Sequence, residues 1–299
     1  MSGKFDIYQT ITDSIIAMME EATGNCPLPW HRQGLTMPLN VESTNRYNGI
    51  NVVMLWYYGQ QCSQQLWGTY RQWANQGAQV KKGAKGVPII FYKKVKRTEP
   101  NGAESFYPMA KASWVFNVDQ VTGYEGEGIA PASPLPDTIG QADILDHAEA
   151  FIARTGAAIQ HNDTFGLDRA FYNYADDYIN MPCRHLFYGD QQQAREGYYA
   201  ILLHELTHWT GHKARCNRGL FGKDKMDYAR EELVAEFGAA FLSAQLNITQ
   251  HPRSDHAEYL KSWIAILKND KKALFRASKL AGEAVDYLTS LQSEERKAA

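Results

Sequence analysis

The sequence predicts an α+β chain of two domains, an N-terminal mixed α/β domain over residues 1–122 and a mainly helical C-terminal domain over 141–299, with a connector at 123–140. Three observations carry this. The stretch "TGYEGEGIAPASPLPDTIG", residues 122–140, is rich in Gly and Pro and has no apolar periodicity, as a linker does. β-Branched and aromatic runs fall before it, and long runs of helical period fall after it. Charge divides in the same region: residues 1–120 carry 12 Lys/Arg against 8 Asp/Glu, whereas the whole chain has a net charge of −2, which leaves −6 for the remainder. Two parts of opposite charge suit different partners.

In order along the chain, "DIYQTITDSIIAMMEEA" sets Ile7, Ile11, Ile15 and Met18 or Met19 on one face of a helix. "VVMLWYY" is apolar enough to be core, and Trp56 is assigned there. "VPIIFYKKV" and "ASWVFNVDQV" are β-branched and aromatic, and predict strands. Beyond the connector, "ADILDHAEAFIARTG" predicts a helix closed by Gly156, and "DYINMP" a short strand stopped by Pro182. "DQQQAREGYYAILLHELTHWTG" predicts a long helix with Gly211 as its left-handed C′ residue. "DYAREELVAEFGAAFLSAQLN" predicts a second long helix with Asp227 as N-cap. Two further helices run through "DHAEYLKSWIAILKND" and "KKALFRASKLAGEAVDYLTSLQ".

Several classes are excluded at this level. There is no apolar run of about 18 residues to span a bilayer, so no membrane partner is expected. "MSGKFDIYQT" lacks the apolar core of a secretory signal. Cys26, Cys62, Cys183 and Cys216 form no CxxC pair, so neither a zinc ribbon nor a disulfide scaffold is indicated. A cytoplasmic protein with reduced thiols is expected.

The chemistry concentrates in "HELTHWTGH", residues 204–212. Positions four apart share a helical face, so His204 and His208 can bind one ion. Glu205 is displaced by one residue and can reach a water on that ion as general base. Zinc is the expected ion, with other divalent transition metals compatible, because it brings its bound water to a pKa of about 7. A third ligand on the metzincin pattern fails: Gly211 fits, but Ala214 stands where the last histidine belongs and His212 comes two residues early. The alternative is a glutamate on the next helix. "REELVAEF" supplies Glu231, Glu232 and Glu236. Glu232 is taken as ligand and Glu236 as the acceptor orienting a ligand histidine, with Glu231 as the competing ligand or else a solvated charge. "DYINMP" could be the edge strand along which such enzymes hold a peptide; an ordinary core strand is the other reading.

Residues 43–98 differ sharply from this. They hold nine basic residues, no acidic one, and nine aromatics. Positive charge along phosphates and aromatic faces under bases are what hold single-stranded nucleic acid. The candidates are Arg46, Tyr47, Trp67, Tyr70, Arg71, Trp73, Lys81, Lys82, Lys85, Lys93 and Lys94. "QVKKGAKGV" offers a glycine-bearing lysine loop to a phosphate, without the spacing of a nucleotide P-loop.

The segments "NRYNGIN", "TYRQWANQGAQVKKGAKG", "VFNVDQ", "HELTHWTGH" and "YAREELVAEF" together resemble the ArdC antirestriction proteins of conjugative plasmids. The resemblance runs nearly full length. It implies a single-stranded-DNA-binding N-terminal domain, a zincin-type metallopeptidase-like C-terminal domain, and protection of incoming plasmid DNA from host restriction. Two roles follow for the second domain: an accessory to DNA coating, or a DNA-dependent zinc protease of the SprT type acting on DNA-bound proteins such as restriction enzymes.

Overall fold

A computed structural model describes residues 6–22, 28–31, 35–98, 104–126, 141–164, 168–187, 190–221, 224–248 and 256–292. The chain divides into two compact units: Met1–Ile11 with Pro38–Ile129, and Thr12–Met37 with Ala130–Ala299. Helix α1 (Ile7–Ala22) begins in the first unit and continues in the second. Ile7, Ile11, Ile15, Met18 and Met19 are all buried on it, as their spacing requires.

In the first unit follow β1 (Leu39–Asn40), α2 (Ile50–Tyr58), β2 (Leu66–Thr69), α3 (Tyr70–Asn75), β3 (Gln79–Val80), β4 (Val87–Thr98), β5 (Glu104–Asn117) and β6 (Val121–Thr122). The sheet order is β1-β2-β5-β4, with β1 and β2 parallel and the other pairs antiparallel; β3 and β6 form a separate pair. The stretch "VVMLWYY" is helix α2, and Ile50 to Trp56 are buried all round, so it shows no amphipathic stripe to betray it. Asn51 donates from its side-chain amide to Ile90 O (2.7 Å) and accepts from Ile90 N–H (2.9 Å), sealing part of the edge of β4. Thr69 caps α3 in a capping box with Gln72, a local signal that sets the helix start. The second predicted strand ends early: after Asn117 the chain enters a one-turn 3₁₀ segment, Val118–Gln120, capped by Asn117.

In the second unit follow α4 (Gln141–Thr155), β7 (Ala158–Asn162), β8 (Phe171–Asn173), β9 (Tyr178–Pro182), α5 (Gln191–Thr210), α6 (Lys225–Leu246), α7 (His256–Asn269) and α8 (Ala273–Ser290). Gly156 ends α4 at φ +68°, a conformation that suits glycine. Among the described residues no helix is long and apolar enough to cross a membrane.

Three expectations are corrected here. The strand "DYINMP" is not an edge: β9 lies between β7, parallel to it, and β8, antiparallel, so its backbone groups are occupied on both sides. Gly211 is not a left-handed cap. It stays right-handed (φ −72°), and it is glycine because a Cβ would come within 2.6 Å of the Phe221 ring and 2.7 Å of the Arg218 guanidinium. Asp227 is not the N-cap of α6. Asp224 is, accepting from the Asp227 N–H at 2.8 Å, while Asp227 supplies first-turn charge.

Candidate metal centre

Helices α5 and α6 approach closely because position 238 has no side chain. A Cβ on Gly238 would lie 2.4 Å from Thr207 Cγ2, so the residue beside His208 sits directly against α6. The register places three donors around one point. His204 Nε2 and His208 Nε2 are 3.1 Å apart, Glu232 Oε2 is 3.4 Å from His204 Nε2, and Glu232 Oε1 is 3.4 Å from His208 Nε2. All three residues are buried. Tetrahedral ligation with bonds of ~2.1 Å sets ligand atoms ~3.4 Å apart. The triangle therefore fits a divalent ion. Glu205 is buried beside it, near enough for its charge to act on His208.

Electrostatics at the cluster point the same way. Burial alone would lower the His208 imidazole, but Glu232, Glu231 and Glu205 outweigh it and push it up to about 10. Burial would raise Glu232, and the two histidines instead hold it well below the usual carboxylate range. A buried, acid-rich pocket that holds a proton this firmly is one a cation can occupy in the proton's place.

With Nε2 turned inward, each imidazole presents Nδ1 outward. His208 Nδ1–H donates to Glu231 Oε1 at 3.2 Å. His204 Nδ1 lies 4.0 Å from Glu236 Oε2, beyond hydrogen-bond reach. The carboxylate that orients a histidine is thus Glu231, and the role expected of Glu236 is not made at bonding distance. Glu236 is held from elsewhere: Trp30 Nε1 donates to its Oε1 (3.0 Å), and His31 Nε2 contacts the same oxygen. Nor is Glu231 a solvated charge. It is 1% exposed, and Arg218 forks onto both of its oxygens through Nε (3.1 and 3.0 Å). Arg218 also donates to Thr207 O and Thr210 Oγ1, both at 2.6 Å, thereby satisfying carbonyl and hydroxyl groups at the end of α5. Burial would raise Glu231, but His208 and Arg218 keep it below its ordinary value. His212 stands outside the triangle, its Nδ1 accepting from the Ala214 N–H (3.2 Å).

Sequence reasoning missed Arg218, Trp30, His31 and Gly238. Arg218 sits in a loop with no period, and Trp30 and His31 are some 200 residues from their partner, so no spacing rule could link them.

In the first unit, Tyr70, Arg71, Lys81, Lys82 and Lys85 are exposed, and Arg46 and Tyr47 are half-buried. The three lysines share one turn, held by Gln120 Nε2 donating to Lys85 O (3.0 Å) and by Lys81 N–H donating to Gln120 O (2.9 Å). Lys81 Nζ also donates to Asp119 O (2.8 Å). The side chains of Lys93 and Lys94 lie outside the described residues. Trp67 and Trp73 are corrected. At 1% and 0% exposed they are core, and Trp73 Nε1 is spent on Phe116 O (2.9 Å), so neither offers a face to a base. A thin sheet under two short helices takes its largest apolar side chains for its own interior.

Residues 5–116 match the N-terminal domain of the anti-restriction factor ArdC, and residues 146–280 match a zincin-like metallopeptidase domain. The chain is similar to the crystal structure of the antirestriction ArdC protein from the R388 plasmid: 36% identity, 97% of this chain and 99% of that one, with a TM-score of 0.79 for the metal-free form and 0.76 for the Mn(II)-bound form. It is 34% identical to the uncharacterized protein y4eC of Sinorhizobium fredii (strain NBRC 101917 / NGR234), over 98% of this chain and 94% of that protein. Two proteins named DNA primase TraC, from Escherichia coli, are 31% identical over 98% and 99% of this chain, which spans only 28% and 20% of their length.

Proposed function

The chain belongs to the ArdC antirestriction family, and from that premise we propose that it shields single-stranded plasmid DNA from restriction as the DNA enters a recipient cell. The first unit holds the strand through charge and stacking, and the second is a metal-dependent peptidase centre whose ion is zinc. Similarity to a segment of two DNA primases supports a DNA partner. One observation carries the chemistry: where α5 meets α6, the Nε2 atoms of His204 and His208 lie 3.1 Å apart, each with one Glu232 carboxylate oxygen 3.4 Å away.

Here His204, His208 and Glu232 are the ligands. A divalent cation held by them would supply a water acidified enough to attack a carbonyl near neutral pH. Glu205, buried beside the three ligands, would act there as general base and then as the acid that protonates the departing amine. Glu231 fixes the His208 ring through Nδ1, and Arg218 fixes Glu231.

A second reading is favoured by Glu205 itself, which is present and buried at the cluster: the chain is a DNA-dependent protease that removes DNA-bound proteins, restriction enzymes among them. The test is conjugative transfer into a restricting recipient, with the wild-type chain and Glu205→Gln, beside an in vitro incubation with metal, single-stranded DNA and DNA-bound proteins. Protection retained by Glu205→Gln makes strand coating sufficient. Protection lost together with cleavage products in the wild type makes proteolysis the mechanism. Absence of both DNA binding and protection in the wild type overturns the proposal.

A further inference from the structure

Resting on the metal reading above, we infer that Trp30 and His31 are positioning residues of the metal centre. They hold Glu236 so that its second oxygen accepts the Nδ1–H of His204 once a cation is bound at Nε2. The zincin-like match begins only at residue 146, and both residues fall within the N-terminal match, 5–116. The fold places them otherwise, because Thr12–Met37 packs into the second unit. There the one-turn 3₁₀ segment Pro29–His31 is buried, with Trp30 0% and His31 7% exposed. Trp30 stands edge-on to Phe237 of α6, ring centroids 5.2 Å apart, next to Glu236 on the same helix.

The anchor is confined to one oxygen. Trp30 Nε1 donates to Glu236 Oε1 at 3.0 Å, and His31 Nε2 contacts that same atom. With Oε1 pinned between the two rings, Oε2 is left on the His204 side, 4.0 Å from Nδ1. His204 supplies the other half of the argument. It is 3% exposed, and among the described residues its Nδ1 is a buried atom with no hydrogen-bond partner. An imidazole that gives its Nε2 lone pair to a cation keeps its proton on Nδ1. Loading the site therefore makes this atom a buried donor, which is costly to leave unpaired. A closure of about 1 Å brings Glu236 Oε2 into bonding reach of it. His208 already has such an arrangement, with Glu231 at its Nδ1 and Arg218 fixing Glu231. Each ligand histidine then has its own carboxylate, and each carboxylate its own clamp. Packing alone would be served by an apolar side chain at position 236, like those of Ala235 and Phe237 beside it.

The experiment uses the full chain, with zinc affinity read by competition with a chelator and the ring N–H protons of the zinc-loaded, ¹⁵N-histidine-labelled protein read by NMR. Trp30→Phe keeps a ring against Phe237 and removes only the donor, and should weaken zinc binding about tenfold. His31→Leu should weaken it by about 10- to 100-fold, and His31→Gln, whose amide nitrogen falls near the place of Nε2, should restore most of the loss. Glu236→Gln should move the His204 Nδ1–H resonance upfield, since a neutral acceptor makes the weaker bond, and leave that of His208 in place. Should His31→Leu fail to fold, Trp30→Phe and Glu236→Gln carry the test. Wild-type zinc affinity in Trp30→Phe together with an unmoved His204 resonance in Glu236→Gln overturns the inference and leaves the metal site standing. So does a lower melting temperature of the metal-free variants at unchanged zinc affinity, which would assign Trp30 and His31 to packing. A wild-type chain that binds no divalent cation removes the reading on which the inference rests, and the inference with it.

Discussion

Replacing Arg218 with methionine keeps the side-chain bulk and deletes the guanidinium that ties the metal centre to its surroundings. The Arg218 side chain is 0% exposed and its partner Glu231 1%. Removing one member of such a pair leaves a buried, uncompensated charge, which costs about 3–5 kcal/mol. The Thr207 carbonyl also loses its 2.6 Å donor, a smaller addition of about 1 kcal/mol. Glu231 would then escape its penalty by taking a proton, and a protonated carboxyl is a poorer acceptor for His208 Nδ1–H. Losing an oriented partner of a ligand histidine lowers metal affinity roughly 10- to 100-fold. Urea unfolding of the metal-free protein should show the stability loss, and competition with a chelator the affinity loss. Arg218→Met combined with Glu231→Gln should recover part of the stability, because the stranded charge is gone. The reasoning fails if Arg218→Met lies within about 1 kcal/mol of wild type and retains wild-type metal affinity.

His204→Ala and His208→Ala should each strip the metal, as two ligands do not hold it tightly, and elemental analysis showing full occupancy would refute the site. Glu205→Gln should keep the metal and lose peptide hydrolysis, measured on the same preparation. Gly238→Ala forces a methyl into the space of Thr207 and should cost about 1–3 kcal/mol in a thermal melt, together with weaker metal binding as α5 and α6 are pushed apart. His208 is raised in the folded, metal-free protein to about 10. Its pairing therefore stabilises that form fully below the unfolded value of about 6.5, and the contribution fades as pH rises through about 10. Between those limits an entering cation displaces a proton. Calorimetry at pH 8 in buffers of different ionisation enthalpy should show proton release on binding, and affinity should rise with pH; binding without release would contradict the shift.

The HExxH pair was legible because it is local, whereas the chain order hid that Thr12–Met37 packs into the second unit. A helix turns 100° per residue, so His204 and His208 must share a face wherever the helix lies, and Ile7, Ile11 and Ile15 must share another. The approximate place of helices α4 to α8 followed from apolar period and from Gly and Pro at their ends. What the sequence by itself could not settle is everything fixed by which surfaces meet. Glu231, Glu232 and Glu236 are equally acidic on one helix. Only the angle at which α6 lies against α5, set by the bare backbone at Gly238, turns Glu232 toward both histidines and Glu231 toward His208 Nδ1 and Arg218. Composition counted Trp67, Tyr70 and Trp73 alike as aromatics near positive charge. The fold put Trp67 on β2 and Trp73 on α3 inside and left Tyr70 outside, because a side chain's exposure depends on what covers its strand or helix, and that cover arrives from residues far away in the chain.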